Sequence, residues 1–134
     1  MDIDLRKYLQ QNRNHITWKT KFKIIFEVIK AISRIHEENY ILRDLHSGNV
    51  LYSQDKNDWY INDLKFCEPI DKKLKFVYGK LPYIAPEVIQ KYDYSVYSDI
   101  YSLAMLMWEI STEQYFWIAR SAAATGCRHQ SCGQ

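Results

Sequence analysis

The chain has 134 residues, 47% hydrophobic and 25% charged, which is the usage of one ordinary globular domain and excludes wholesale disorder. Lys+Arg 18 against Asp+Glu 16 leaves a net charge of +2, too even for nucleic acid or an anionic membrane to be the main partner.

The first predicted element is a short helix from Asp4 through Gln11, with Asp4 as N-cap and Leu5, Tyr8 and Leu9 on one face. A longer helix follows, capped by Thr17. Trp18, Phe22, Ile25, Ile29 and Ile32 step by fours and threes along one face, opposite Lys19, Lys23, Glu27, Lys30, Arg34 and Glu37. A second apolar row (Ile24, Val28, Ala31, Ile35) widens the stripe and predicts deep embedding. The period then changes to short β-prone runs at Tyr40–Leu42, Val50–Tyr52 and Trp59–Asn62. The polar stretch Ser53–Asp58 between the last two predicts a hairpin. Pro82 and Pro86 punctuate an irregular stretch after Asp63. A third helix is expected from the cap Ser98 through Ser111, apolar nearly all round and therefore buried on every side. Beyond Thr112 the apolar period ends, and 113–134 reads as a divergent, weakly ordered tail. Its Cys127, His129 and Cys132 make a single three-ligand cluster without the paired spacing of a structural zinc site.

The longest apolar run, Leu103 to Trp108, is far shorter than the roughly 20 residues that span a bilayer. The opening Met1-Asp2-Ile3-Asp4 lacks the basic-then-apolar order of a signal peptide. Three cysteines (Cys67, Cys127, Cys132) without disulfide spacing fit a reducing compartment. The expectation is a soluble, cytoplasmic chain with neither a membrane nor a nucleic-acid partner. Nothing in the sequence specifies an oligomeric state.

The chemistry concentrates in Leu42-Arg43-Asp44-Leu45-His46-Ser47-Gly48-Asn49, a loop between two short strands. Such a loop can present the Asp44 carboxylate to a hydroxyl and the Asn49 amide oxygen to a metal. Asp63 follows the second hairpin strand and can join them. Few, hard oxygen ligands with room for phosphate and water suit Mg²⁺. Taken singly, the same residues are ordinary turn formers.

In this segment the sequence resembles the protein kinase family. Leu42-Arg43-Asp44-Leu45…Asn49 is similar to the catalytic loop H-R-D-L-x-x-x-N, Asp63-Leu64-Lys65 stands where D-F-G belongs, and Ala85-Pro86-Glu87 matches A-P-E. Gly79 with Pro82-Tyr83-Ile84 resembles the lead into that motif. Ser98–Ser102 with Trp108-Glu109 resembles the central helix of the large lobe, and Asp4–Leu9 the helix after the hinge. The resemblance runs from Asp4 to about Thr112, so the expected division is a partial kinase domain over 1–112 and the tail beyond. It implies an α+β, mainly helical fold: a partial kinase-like C-terminal lobe with a small β-hairpin near the catalytic loop.

The resemblance further implies ATP and Mg²⁺ as cofactors and a protein substrate carrying a Ser/Thr or Tyr hydroxyl. Asp44 would orient or deprotonate that hydroxyl, and Asn49 and Asp63 would hold the metal. Leu51 resembles the floor under adenine, Asp4 would reach the ribose, and Asp99 would accept N–H groups of the catalytic loop. Leu42 replaces the motif's His, Lys65 its Gly, Lys80 an expected Thr, and His46 the Lys of Ser/Thr-type members, which leaves the acceptor class open. Four glycines (Gly48, Gly79, Gly126, Gly133) cannot form the Gly-rich phosphate loop, and no strand Lys of the small lobe is present. Phosphotransfer by this chain alone is therefore expected to be impaired. The alternatives are a non-catalytic, kinase-derived binding module and a truncated gene product.

Overall fold

In the computed structural model, which describes residues 2–73, 77 and 79–114, helices pack against a small antiparallel sheet. Strand β1 (Ile3–Asp4) runs straight into α1 (Leu5–Gln11), and Asp4 caps that helix by accepting the Lys7 N–H at 2.9 Å. Thr17 caps α2 (Trp18–Glu37) by accepting the Thr20 N–H at 3.3 Å. After β2 (Tyr40–Ile41) the chain makes a 3₁₀ turn at Ser47–Asn49 and enters the hairpin of β3 (Val50–Ser53) and β4 (Asp58–Ile61). Two further pairings are not legible in the sequence. β1 adds to β3 with Asp4 opposite Leu51, and β2 pairs with β5 (Glu68–Pro69). Helices α3 (Pro86–Lys91) and α4 (Val96–Thr112) complete the described fold.

The core joins Leu5 and Leu9 of α1, Ile24, Ile25, Val28 and Ile32 of α2, Val50 and Trp59 of the hairpin, and Leu103, Leu106 and Ile110 of α4. Each such side chain contributes about 1.5–3 kcal/mol when fully buried. Leu42 and Leu45, either side of Asp44, belong to the same cluster at 1% exposure, so the chemical loop is nailed down at both shoulders.

Two expectations about helix faces need correction. On α2 the buried face is Lys21, Ile24, Ile25, Val28 and Ile32, whereas Trp18, Phe22 and Ile29 are exposed. The apolar stripe is wider than the neighbouring elements cover, and α4 and β4 select its inner row. Lys21 enters that row because its ammonium pairs with Glu113 at 3.0 Å and donates to the Ser111 carbonyl at 3.1 Å. On α4 the cap is Ser95, not Ser98. The two form a capping box in which Ser95 Oγ accepts the Ser98 N–H and Ser98 Oγ accepts the Ser95 N–H. Nor is α4 buried on every side: Tyr97, Ile100 and Met107 are exposed, while Asp99, Ser102 and Glu109 share its buried face with Leu106 and Ile110. Of the expected tail 113–134, residues 115–134 lie outside the described residues.

Candidate active site

Asp99 is the anchor of the loop. Buried on α4, its carboxylate accepts the Leu42 N–H at 2.8 Å, the Arg43 N–H at 3.0 Å and a third hydrogen bond from His36 Nε2 at 2.8 Å. These bonds satisfy a carboxylate that would be costly to bury alone and hold Arg43 in the left-handed region at φ 69°. Asp44 follows, 8% exposed.

Asn49 closes the loop. Its Nδ2 donates to the Asp44 carbonyl and its Oδ1 accepts the His46 N–H at 3.2 Å. The amide is thereby oriented, with one Oδ1 lone pair still available. His46 Nδ1 accepts the Gly48 N–H at 3.1 Å, which leaves the ring proton for Nε2, 3.5 Å from Asp44 Oδ1. A Cβ at position 48 would lie 2.9 Å from that ring, so glycine is required there by packing.

Asp63 is delivered by the sheet. The Asn62 N–H donates to the Asn49 carbonyl at 2.7 Å, directly continuing the β3–β4 ladder that pairs Val50 with Ile61. Asp63 is the next residue, exposed, with φ 58°. Lys65 is not among the positive-φ residues, so the unusual backbone sits at Asp63 rather than at the residue replacing glycine. Gly79, at φ 111°, approaches from the far side. A Cβ there would lie in ordinary contact with Arg43 O and Asp44 Oδ1 at 3.4 Å, so it is the backbone conformation, not the space, that favours glycine at 79.

Of the predicted site residues, Asp44 and Asn49 are thus bonded within one loop, and Asp63 lies two residues past the end of β4, next to the Asn62 that bonds Asn49. Leu51 and Asp4 meet further along the sheet, opposite each other on β3 and β1. Leu51 is half-buried, and Asp4 is already engaged as the α1 cap. A cavity of about 650 Å³ lies elsewhere, between α2 and the hairpin, lined by Lys30, Arg34, Trp59, Tyr60 and Ile61 and by none of the predicted residues.

Sequence reasoning missed the polar support beneath the loop. Ser47 Oγ donates to Glu109 Oε1 at 2.8 Å, and the Tyr83 hydroxyl donates to Glu109 Oε2. Burial raises the Glu109 carboxyl above its ordinary range, and burial beside Glu109 raises the Tyr83 phenol. An acid on the apolar stripe of α4, a helix turn from Leu106 and beside Ile110, was the available signal. Tyr83, buried with its hydroxyl bonded to Glu109, is a packing residue. Arg43, 5% exposed, donates from Nη2 to the Lys72 carbonyl at 2.7 Å and sits 5.6 Å from the Tyr94 ring.

Comparison with known sequences agrees with this architecture. The chain belongs to the protein tyrosine and serine/threonine kinase family, whose profile matches residues 2–125. It is 31% identical over 116 residues to a probable serine/threonine-protein kinase of Dictyostelium discoideum, covering 83% of this chain and 12% of that protein. It is 32% identical over 111 residues to the tyrosine-protein kinase SYK of Gallus gallus, covering 78% of this chain and 18% of that one. A dual serine/threonine and tyrosine protein kinase of Gallus gallus is 34% identical over 93 residues, 69% of this chain and 10% of the relative. The chain thus spans less than a fifth of these relatives. Among the described residues no helix is long and apolar enough to cross a membrane.

Proposed function

We propose that this lobe is the metal- and acceptor-facing part of a site that transfers the γ-phosphate of ATP to a protein hydroxyl. Protein kinases use ATP with Mg²⁺, and the donors here suit that ion: the free lone pair of Asn49 Oδ1 and the Asp63 carboxylate are two oxygens, leaving positions for water and phosphate. The bound metal supplies neutralisation of charge on the phosphates. Asp44 receives the substrate hydroxyl's hydrogen bond and, as transfer proceeds, its proton. His46, through Nε2, fixes where the Asp44 carboxylate points. Leu51 and Asp4 form the adenosine end, Leu51 under the base and Asp4 toward the ribose. The acceptor is a Ser/Thr or Tyr side chain of a protein.

The observation that carries this reading is the Asn49 carboxamide, bonded on one side to Asp44 and on the other to His46, while its own carbonyl holds the strand end that delivers Asp63. In this class of chemistry positioning supplies most of the catalysis, so a preset Asp–Asn–Asp arrangement is the part that the protein must build.

Paramagnetic broadening tests the reading even when affinity is weak. Mn²⁺ with ATP, titrated into the ¹⁵N-labelled chain, should broaden amides of residues 44–50 and 61–65 first, and Asp63→Ala should abolish that selectivity. Broadening centred elsewhere, or unchanged in Asp63→Ala, would favour the kinase-derived binding module without phosphotransfer.

A further inference from the structure

The exposed face of α2 is not an ordinary helix surface. Trp18 is 55% exposed, Phe22 64%, Phe26 61% and Ile29 39%, and steps of four, four and three align them on one side of the helix. They form a convex ridge about 16 Å long, and the cavity between α2 and the hairpin is lined by none of them. Single apolar side chains on a surface need no explanation, but a continuous strip of four large ones marks a contact face.

The charge beside the ridge is one-sided. Lys19, Lys23, Lys30 and Arg34 keep the helical spacing of the strip and lie about a quarter of a turn round from it. The Lys30 ammonium stands 5.4 Å from the centre of the Phe26 ring, and the Lys21 ammonium 4.6 Å from that of Trp18. Two neighbouring acids are already engaged, Glu27 by Lys30 at 2.9 Å and Glu113 by Lys21 at 3.0 Å. Residues 5–26 hold Arg6, Lys7, Arg13, Lys19, Lys21 and Lys23 with no Asp or Glu. The even charge of the whole chain thus conceals a basic segment that carries most of this strip.

We propose that this face of α2 rests on an anionic lipid surface. Trp18, Phe22, Phe26 and Ile29 enter the boundary between headgroups and acyl chains, and Lys19, Lys23 and Arg34 meet the lipid anions. A fluid interface accepts a convex aromatic ridge directly, whereas a protein partner would have to supply a matching groove. Lysine and arginine stems run along apolar surface while their charged heads stay at headgroup level, where an anionic leaflet attracts them. Ile24, Val28 and Ile32 keep the other face of α2 in the core, so the helix lies on the surface and does not cross it. This inference is independent of the nucleotide reading.

The test is co-sedimentation of the full chain with vesicles of phosphatidylcholine alone and of phosphatidylcholine with an equal part of phosphatidylserine. Binding is expected only to the mixed vesicles and should weaken as salt rises. Lys19→Gln with Lys23→Gln, both at exposed positions, should weaken it by about 30-fold. Phe22→Ser with Phe26→Ser should reduce it to background, with the far-UV circular dichroism unchanged. Brominated acyl chains in the mixed vesicles should quench the tryptophan fluorescence of the parent chain, and Trp18→Phe should remove most of that quenching. This arm decides the matter should the double variants impair folding. Equal uptake by both kinds of vesicle, or quenching that persists in Trp18→Phe, would overturn the proposal. So would failure to bind the mixed vesicles, whether the chain then pairs with a second copy in sedimentation velocity or takes up an added polyglutamate peptide instead.

Discussion

At the scale of single residues, buried carboxylates organise this molecule, and they do so in two different states of balance. Asp99 is matched by three donors, two of them backbone N–H groups of the catalytic-type loop. Asp99→Asn keeps the shape but turns one acceptor into a donor facing donors, and should cost about 3 kcal/mol, since each buried group left unpaired costs about 1–3 kcal/mol. Urea denaturation measures the loss, and amide exchange at Leu42 and Arg43 should accelerate with it. Glu109 is less well matched: its burial outweighs the Ser47 and Tyr83 hydrogen bonds and raises its carboxyl in the folded state. The stabilisation linked to its proton is complete below the unfolded-chain value and is lost as pH rises through the higher, folded value. Glu109→Gln does not titrate, so its stability relative to the parent should increase between pH 4 and pH 8. A difference that is flat with pH would show that Glu109 ionises normally. That Asp99 accepts N–H groups of the loop holding Asp44 and Asn49 followed from the resemblance of those motifs to a known family. The Glu109 network could not be read from the sequence, because Ser47, Tyr83 and Glu109 meet only after α4 packs beneath the loop, and their separations of 62 and 26 residues carry no local pattern.

At the scale of elements, local signals placed α1, α2 and α4 well and their faces less well, and α3 lies in the stretch read as irregular. Asp4 and Thr17 cap where the sequence predicts, because a side-chain oxygen ahead of an apolar period has one obvious use. Ser95 and Ser98 are both cap-type residues three positions apart, and the capping box uses both. Ser95→Ala should therefore lower stability by about 1 kcal/mol, seen as a lower urea midpoint with an unchanged slope. The faces of α2 and α4 were over-assigned to the core because periodicity reports which side chains are apolar and not how much neighbouring surface exists to cover them. Short strands such as β1 and β5 were missed for a related reason: two residues have no period, and their pairing is set by tertiary packing. At the loop itself, Gly79→Ala places a Cβ 3.4 Å from Arg43 O and Asp44 Oδ1 on a backbone at φ 111°. That change should destabilise the chain by at least about 1 kcal/mol and shift the Asp44 resonances in NMR spectra, whereas Gly48→Ala should disturb those of His46.

At the scale of the whole molecule, the fold holds together through a few long-range ties between segments far apart in sequence. Glu113 joins the end of α4 to the α1–α2 loop at Asn14 and to α2 at Lys21. The Asn14 N–H and then the Lys21 ammonium lower its carboxyl below the usual range. Its stabilisation is present above the unfolded-chain value and is lost as pH falls through the lower, folded value. The parent chain should lose part of its stability on acidification below about pH 4.5, and Glu113→Gln should lose less over the same interval, which denaturant titration at a series of pH values can follow. The Asn62 N–H bond to the Asn49 carbonyl sets Asn49 and Asp63 at the same end of the β3–β4 ladder. The central proposal is that this end of the ladder is a metal and nucleotide site. A crystal of the chain soaked with Mn²⁺ and a non-hydrolysable ATP analogue tests it most directly. The account predicts an anomalous peak bound by Asn49 Oδ1 and the Asp63 carboxylate, with Asp44 beside it but not a ligand. A peak held by other residues, with these two side chains left unliganded, would contradict it.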